Sequence, residues 1–342
     1  MTHDISERSL LKPFTQAAWI SVLLCLSVFL STTAVEPVDF ASGDFSLVGE
    51  LQLPDGEAPL PAIIMVHGSA DSDRTDWGKY QPIMDRMLAA GFAVLCWDKP
   101  GVRASRGRLA SDGEVIKQRA SILLDGVEQL KLHPAIDPDR IGAWGISQGV
   151  VVVPMALHEA EDIAFVIVVS GPGTDGIAQT AHIQARKLIC RGYSEEVAKL
   201  AEISLSGLPR SSTHEEYLGH MQTLIGIPAL GYKASWIDAE DEWSPWDLSE
   251  GSTFNPIDVI AQSTIPVLTF FGELDMQVDP VQGFAAYRQA LAAAGHPLSA
   301  AVWIEGAGHT LNRTQSGCTD ISARNHVPEY LDKLENWIRS LW

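Results

Sequence analysis

Four short apolar runs constrain this chain more than any other feature. They are 62–66 (AIIMV), 92–97 (FAVLCW), 140–144 (RIGAW) and 165–169 (FVIVV), and each is followed by a polar stretch that contains glycine. Helical spacing separates them. Residues 80–90 place Ile83, Met87 and Leu88 on one side, 114–131 is long and amphipathic, and 150–158 follows the third run directly. Runs this short, alternating with helices, predict parallel strands buried on both faces. The expected fold class is therefore α/β, a mostly parallel central sheet flanked by helices and joined by right-handed crossovers. Residues 38–54 read as two strands around a Gly-Asp turn, and 266–271 and 300–304 as two further strands. Ligand sites in such sheets lie beyond the carboxyl ends of the strands, so those positions carry the functional search.

The alternation breaks after the fourth run. Residues 173–255 read as helices at 177–191, 195–204 and 214–224, then a segment rich in tryptophan and acids at 236–247. A helical insertion between two strands, near the carboxyl edge, predicts a cap or lid. The expected organisation is a catalytic domain of 35–172 and 256–342, with 173–255 as the cap. Trp236, Trp243 and Trp246 are candidates for a substrate pocket under that cap; the alternative is that they hold the cap on the sheet.

The third run ends in Gly145-Ile146-Ser147-Gln148-Gly149, and a helix follows. This is the G-x-S-x-G pattern of a strand-to-helix turn that presents a nucleophilic serine. The turn is strained, so its neighbours must be small. A helix N-terminus there also favours the negative charge that develops in acyl transfer. A serine needs a base, and the order on such a fold is Ser, acid, His. Asp275 closes the strand FFGELD, and His309 follows the next strand in EGAGH. His309 would take the Ser147 proton, and Asp275 would orient the imidazole and stabilise its charged form. Asp279 precedes Pro280 and reads as a helix cap. Glu273 is expected to point away. His296 sits in a Gly-His-Pro turn, while His182, His214, His220 and His326 read as surface or packing residues. Asp98 is expected to fix the turn after its strand, and Arg103, Arg106 and Arg108 to form a solvated loop face rather than an anion site. Asp238, Glu240, Asp241 and Glu242 lack calcium-loop spacing and read as a charged loop.

The segments HGS (67–69), WDKPG (97–101), GISQG (145–149), FGELD (271–275) and GAGH (306–309) resemble the α/β-hydrolase superfamily, over roughly residues 45–342. Within it the chain resembles the prolyl-oligopeptidase-like and dienelactone-hydrolase-like esterases. The resemblance implies a Ser147–His309–Asp275 hydrolase that needs neither a metal nor an organic cofactor. It also implies an oxyanion hole made by the backbone N–H groups of Gln148 and Ser69, with His67 as a positioning residue under the loop. The expected function is serine carboxylesterase, acting on a small-molecule ester through an acyl-enzyme. The alternatives are a small aminopeptidase, amidase or thioesterase, and, in another class, a non-catalytic binding protein on the same scaffold. Dehalogenation is disfavoured, since it uses Asp where Ser147 stands.

The formal net charge of −19 and the lack of any Lys/Arg run argue against nucleic acid as a partner. Arg8 and Lys12 precede the uncharged run 17–30, which ends in small residues up to Ala34. That pattern predicts a signal peptide over 1–34 and export to a periplasmic or external space, with no stable membrane insertion after cleavage. An uncleaved N-terminal anchor is the alternative, though the run is short of the ~20 residues of a span. Cys25 would leave with the signal. Cys96 lies in an apolar run and reads as core, while Cys190 and Cys318 could pair in an oxidising compartment. The sequence leaves open whether they meet, and leaves the oligomeric state open too.

Overall fold

The computed structural model describes residues 33–111, 113–318 and 325–342. In it the apolar runs become neighbouring strands of one eight-stranded sheet. The strands are β1 (Ala34–Ser42), β2 (Phe45–Leu53), β3 (Leu60–Val66), β4 (Ala93–Trp97), β5 (Ile136–Ile146), β6 (Phe165–Val169), β7 (Val267–Gly272) and β8 (Ala300–Ile304). Their order is β1-β2-β4-β3-β5-β6-β7-β8. The β1–β2 and β2–β4 pairs are antiparallel. Every pair from β4 through β8 is parallel. The first hairpin begins earlier than its apolar pattern suggests, because all nine residues of β1 find partners in β2, from Ala34 opposite Leu53 to Ser42 opposite Phe45. The expected signal segment lies outside the described residues except for Thr33 and Ala34. Among the described residues no helix is long and apolar enough to cross a membrane.

Helices α1 (Gln81–Ala89), α2 (Glu114–Lys131) and α3 (Gly149–Glu159) connect the central strands. The chain between β6 and β7 forms α4 (Gly176–Cys190), α5 (Glu195–Gly207), α6 (His214–Ile225), α7 (Glu250–Thr253) and α8 (Pro256–Ile260). Then α9 (Pro280–Ala294) joins β7 to β8, and α10 (Pro328–Arg339) ends the fold. Strand side chains alternate faces. Ile64 and Val66 of β3 face α2, α3 and α9, through Leu123, Val152 and Leu291. Ile63 and Met65 face α1 and α10, through Met84, Met87 and Leu334. Every residue of β4 and β6 is buried, as a doubly covered parallel strand requires. Each such large side chain contributes about 1.5–3 kcal/mol on burial. Trp144 of β5 is the largest fully buried side chain among the described residues, and its indole N–H donates to the Tyr330 hydroxyl at 3.2 Å, so its one polar atom is not stranded.

The insertion is built differently. Its helices start on side-chain caps: Asp175 accepts from the Ala178 amide, Ser194 from Val197 and Thr213 from Glu216. Its apolar contacts form small clusters of their own, Leu208–Tyr217–Met221–Leu224 and Leu188–Ala201–Ile227. Its attachments to the sheet domain include a hydrogen bond from Gln179 to the Gln277 carbonyl at 2.6 Å and two closer links. Gly251 in α7 packs so closely on Gly113 that a Cβ there would lie 1.9 Å from the Gly113 carbonyl oxygen, and Lys117 pairs with Glu250 beside it at 2.5 Å. At the other end Cys190, the last residue of α4, is disulfide-bonded to Cys318, in the segment that follows His309. Cys96 is a buried free thiol in β4.

Candidate active site

The turn from β5 into α3 forces the backbone of Ser147 to a φ of +55°. A non-glycine residue is rarely held there, and such strain persists only where the surroundings over-determine it. The surroundings are backbone. A Cβ on Gly145 would lie 2.6 Å from the Gly149 carbonyl oxygen. One on Gly149 would lie 2.5 Å from that of Val66 and 2.9 Å from that of His67. The spacing of glycines in the motif is thus a packing requirement of crossed main chains. Across the turn, a Cβ on Gly68 would touch the Ser147 Cβ at 3.4 Å, so the loop after β3 lies directly against the serine.

Asp275 follows β7 and is buried. Its Oδ1 accepts the amides of Gln277 (2.8 Å) and Val278 (3.0 Å), and its Oδ2 meets His309 Nδ1 at 2.8 Å. Two amides and one imidazole therefore fix the carboxylate in a single orientation. His309 is held through its main chain as well, since Ser170 Oγ donates to its carbonyl at 2.6 Å. Ser170 directly follows β6, with a φ of +55°, and carries no signal in the sequence alone. The competing groups are occupied elsewhere. Asp279 caps α9 through Val281 and Gln282, Glu273 accepts the Gly306 amide, and His326 bridges the carbonyls of Thr310 and Lys79. His182 pairs with Glu202, His214 bonds the Asp238 carbonyl, His220 packs on Gly207, and His296 accepts the Leu298 amide.

The loop after β3 is buttressed from below. His67 is buried, and its Nε2 bonds the Asp73 carbonyl at 3.0 Å. Burial, then Arg119 and Lys99, lower its pKa to about 3, so it is neutral at working pH and holds the loop without serving as a base. Asp98 is fully buried and binds Arg74 of the same loop through its side chain (2.9 Å to Nη2) and its amide (2.9 Å). It thus ties the β3 loop to β4 rather than fixing its own turn. Arg103 pairs with Asp73 at 2.6 Å and stacks on Trp77, while Arg106 bridges to Ser46 through its backbone. Lys99 donates to the carbonyls of Gly68 (2.9 Å), Ser69 (3.1 Å) and Ala70 (2.7 Å). Arg119 donates to the carbonyls of His67 and Gly68 and to the Gln148 side chain. Burial and then Arg119 bring the Lys99 ammonium down to about 7, and burial brings Arg119 down to about 10. Neither residue was singled out from sequence. Arg119 carried a signal: it stands in the apolar register of α2, three residues after Ile116 and four before Leu123, where a charge needs a reason.

Among the described residues the amides of Ser69 and Gln148 have no acceptor. A cavity of about 430 Å³ opens between them, lined by Ser69, Gln148, Lys99, Arg108, Leu109 and Val115 among others. The three tryptophans of the insertion do not line it. Trp243 packs on Tyr217 and His214 within the insertion, and Trp236 and Trp246 are 53% and 52% exposed. The acids Asp238, Glu240, Asp241 and Glu242 form no cluster able to hold a metal ion among the described residues.

A family model described as "Alpha/beta hydrolase family" matches residues 63–316, from the buried strand β3 to beyond His309. The chain is similar to esterase EstD of Thermotoga maritima, at 24% identity over 254 residues, 71% of this chain and 54% of that protein. It is also similar to esterase FrsA of Enterobacter sp. (strain 638), at 31% identity over 109 residues, 31% of this chain and 24% of that protein. It thus spans about half the length of the first and about a quarter of the second. Among solved structures, the Pyrococcus furiosus esterase Pf2001 shares the fold, with a TM-score of 0.57 over 91% of both chains at 17% identity. The buried parallel sheet, the strained serine turn and the match over most of the chain lead to one conclusion: this protein belongs to the α/β-hydrolase family.

Proposed function

We propose that the protein is a serine carboxylesterase. Ser147 is the nucleophile, His309 its base, Asp275 the residue that orients His309, and the amides of Gln148 and Ser69 form the oxyanion hole. The observation that carries this reading is the 2.8 Å bond from Asp275 to His309 Nδ1, on the strand edge where Ser147 is held at positive φ. A proton kept on Nδ1, where it is hydrogen-bonded to the Asp275 carboxylate, leaves Nε2 as the acceptor for the Ser147 hydroxyl proton. Ser147 Oγ attacks the ester carbonyl, the two amides take up the oxyanion, and His309 returns the proton to the leaving alkoxide. Water then releases the acid by the same steps. Similarity to EstD supports ester rather than amide substrates.

The helical segment 173–255 acts as the cap in this reading. The cavity beside Ser69 and Gln148 holds part of the substrate, and its volume falls in the range of small-molecule sites. The Cys190–Cys318 bond supports placement in an oxidising compartment, consistent with export directed by the N-terminal segment. Hydrolysis of short p-nitrophenyl esters and of aminoacyl amides by wild type and Ser147→Ala tests the proposal. Ester turnover is expected to fall by about 10⁴-fold or more in the variant. Ester cleavage that survives the substitution overturns the mechanism, and a preference for the amides replaces esterase with peptidase.

A further inference from the structure

Lys99 and Arg119 are buried, and neither forms an ion pair with a carboxylate among the described residues. Buried cations without counter-ions are costly and must be satisfied by hydrogen bonds. Here the acceptors are four consecutive carbonyls, those of His67, Gly68, Ser69 and Ala70. The Gly68 carbonyl receives both cations, from Lys99 Nζ at 2.9 Å and Arg119 at 3.2 Å. In a planar trans peptide the N–H points opposite to the C=O. With its carbonyl drawn down onto two charges, the Gly68–Ser69 peptide turns its N–H the other way, and that N–H has no acceptor among the described residues. Arg119 also grips the side chain of Gln148, the residue just after the nucleophile. One guanidinium therefore holds the peptide that carries the Ser69 amide and the side chain of the residue that carries the Gln148 amide.

We propose that Lys99 and Arg119 are positioning residues that aim and polarise the Ser69 and Gln148 amides, so that the hole is set before substrate arrives and is backed by positive charge as the oxyanion forms. The Arg119 charge and the peptide dipoles act with the same sign on a negative oxygen, and Lys99 adds its charge below about pH 7. The inference rests on the esterase reading, because it gives a role to the hole which that reading defines. A purely structural role would lower stability and leave transition-state affinity in step with substrate affinity.

The test compares wild type with Lys99→Met and Arg119→Met, which remove charge, and with Lys99→Arg and Arg119→Lys, which keep it. The readouts are kcat and KM on p-nitrophenyl acetate, inhibition by butylboronic acid, and thermal melting. The boronate forms a tetrahedral adduct on Ser147 Oγ that puts an oxygen in the hole. In the methionine variants kcat is expected to fall about 10²-fold with little change in KM, boronate affinity falling by a matching factor. The charge-keeping swaps are expected to lose only about tenfold in both. Folded methionine variants with wild-type kcat overturn the proposal, as does a lower kcat with unchanged boronate affinity. If the methionine variants do not fold, Arg119→Lys decides, since it keeps the charge but loses the bridge to Gln148, and unchanged boronate affinity overturns the proposal. Ser147→Ala, run alongside, separates the two failures. Ester cleavage that survives it removes the active-site reading and this inference together. Cleavage lost with Ser147→Ala but retained in the methionine variants removes the inference alone.

Discussion

The carboxyl edge of the sheet and the helical insertion that follows β6 are held together by different means. At the edge, main chain crosses main chain: Gly149 lies against Val66 and His67, and Gly272 against Gly308, where a Cβ would be 2.4 Å from a carbonyl oxygen. Buried ions and a strained serine are set between those crossings. The insertion has capped helices, small apolar clusters and the half-exposed Trp236 and Trp246, with Gly192, Gly219 and Gly231 facing open space although Gly251 is tightly packed. The first region has almost no freedom to vary without loss of geometry. The second is held at a few points and can differ in detail while the sheet stays as it is. If the insertion is the cap proposed above, rigid chemistry and an adaptable cap are separated in this way.

The sharpest break of this contrast is Gly149→Ala. The added methyl meets two backbone carbonyls that no side-chain rotation can move. Destabilisation of about 3 kcal/mol with loss of ester turnover is expected, read by denaturant unfolding and by rate. A stability within a few tenths of a kcal/mol of wild type would show the edge to be softer than its geometry implies.

The second prediction concerns the attachment between the regions. The Cys190–Cys318 bond closes a loop of 128 residues, and replacing both cysteines with serine is expected to cost about 2–5 kcal/mol of stability. The loss should appear first around α4, as faster hydrogen exchange there than in β5 or β6. Uniform exchange across both regions would mean that the insertion and the sheet unfold as one.

The third prediction concerns acid. His67 is lowered to about 3 when folded, against 6.5 unfolded, chiefly by burial. Between those values the unfolded chain binds a proton that the native chain does not, so stability falls as pH drops from about 6.5 towards about 3. The slope from this one group is about 1.4 kcal/mol per pH unit at most. His67→Gln should flatten the acid limb of stability by about one proton relative to wild type. An unchanged slope would place the acid sensitivity elsewhere.

The sequence by itself carried the sheet, because short apolar runs between helical segments have few other ways to bury both faces. It carried Ser147, Asp275 and His309 as candidates, because each stands just past a strand and the chain order is fixed. It also carried the helices of the insertion, since their caps and spacing are local. The tertiary structure alone joined Cys190 to Cys318, 128 residues apart, set Ser170 behind His309, and left Trp236, Trp243 and Trp246 away from the cavity. It alone brought Lys99, from the end of β4, and Arg119, from α2, onto the same four carbonyls. Chain-local patterns report which way a residue faces along its own element. Which element it meets is decided by packing between segments far apart in sequence, and the support of this site lies there.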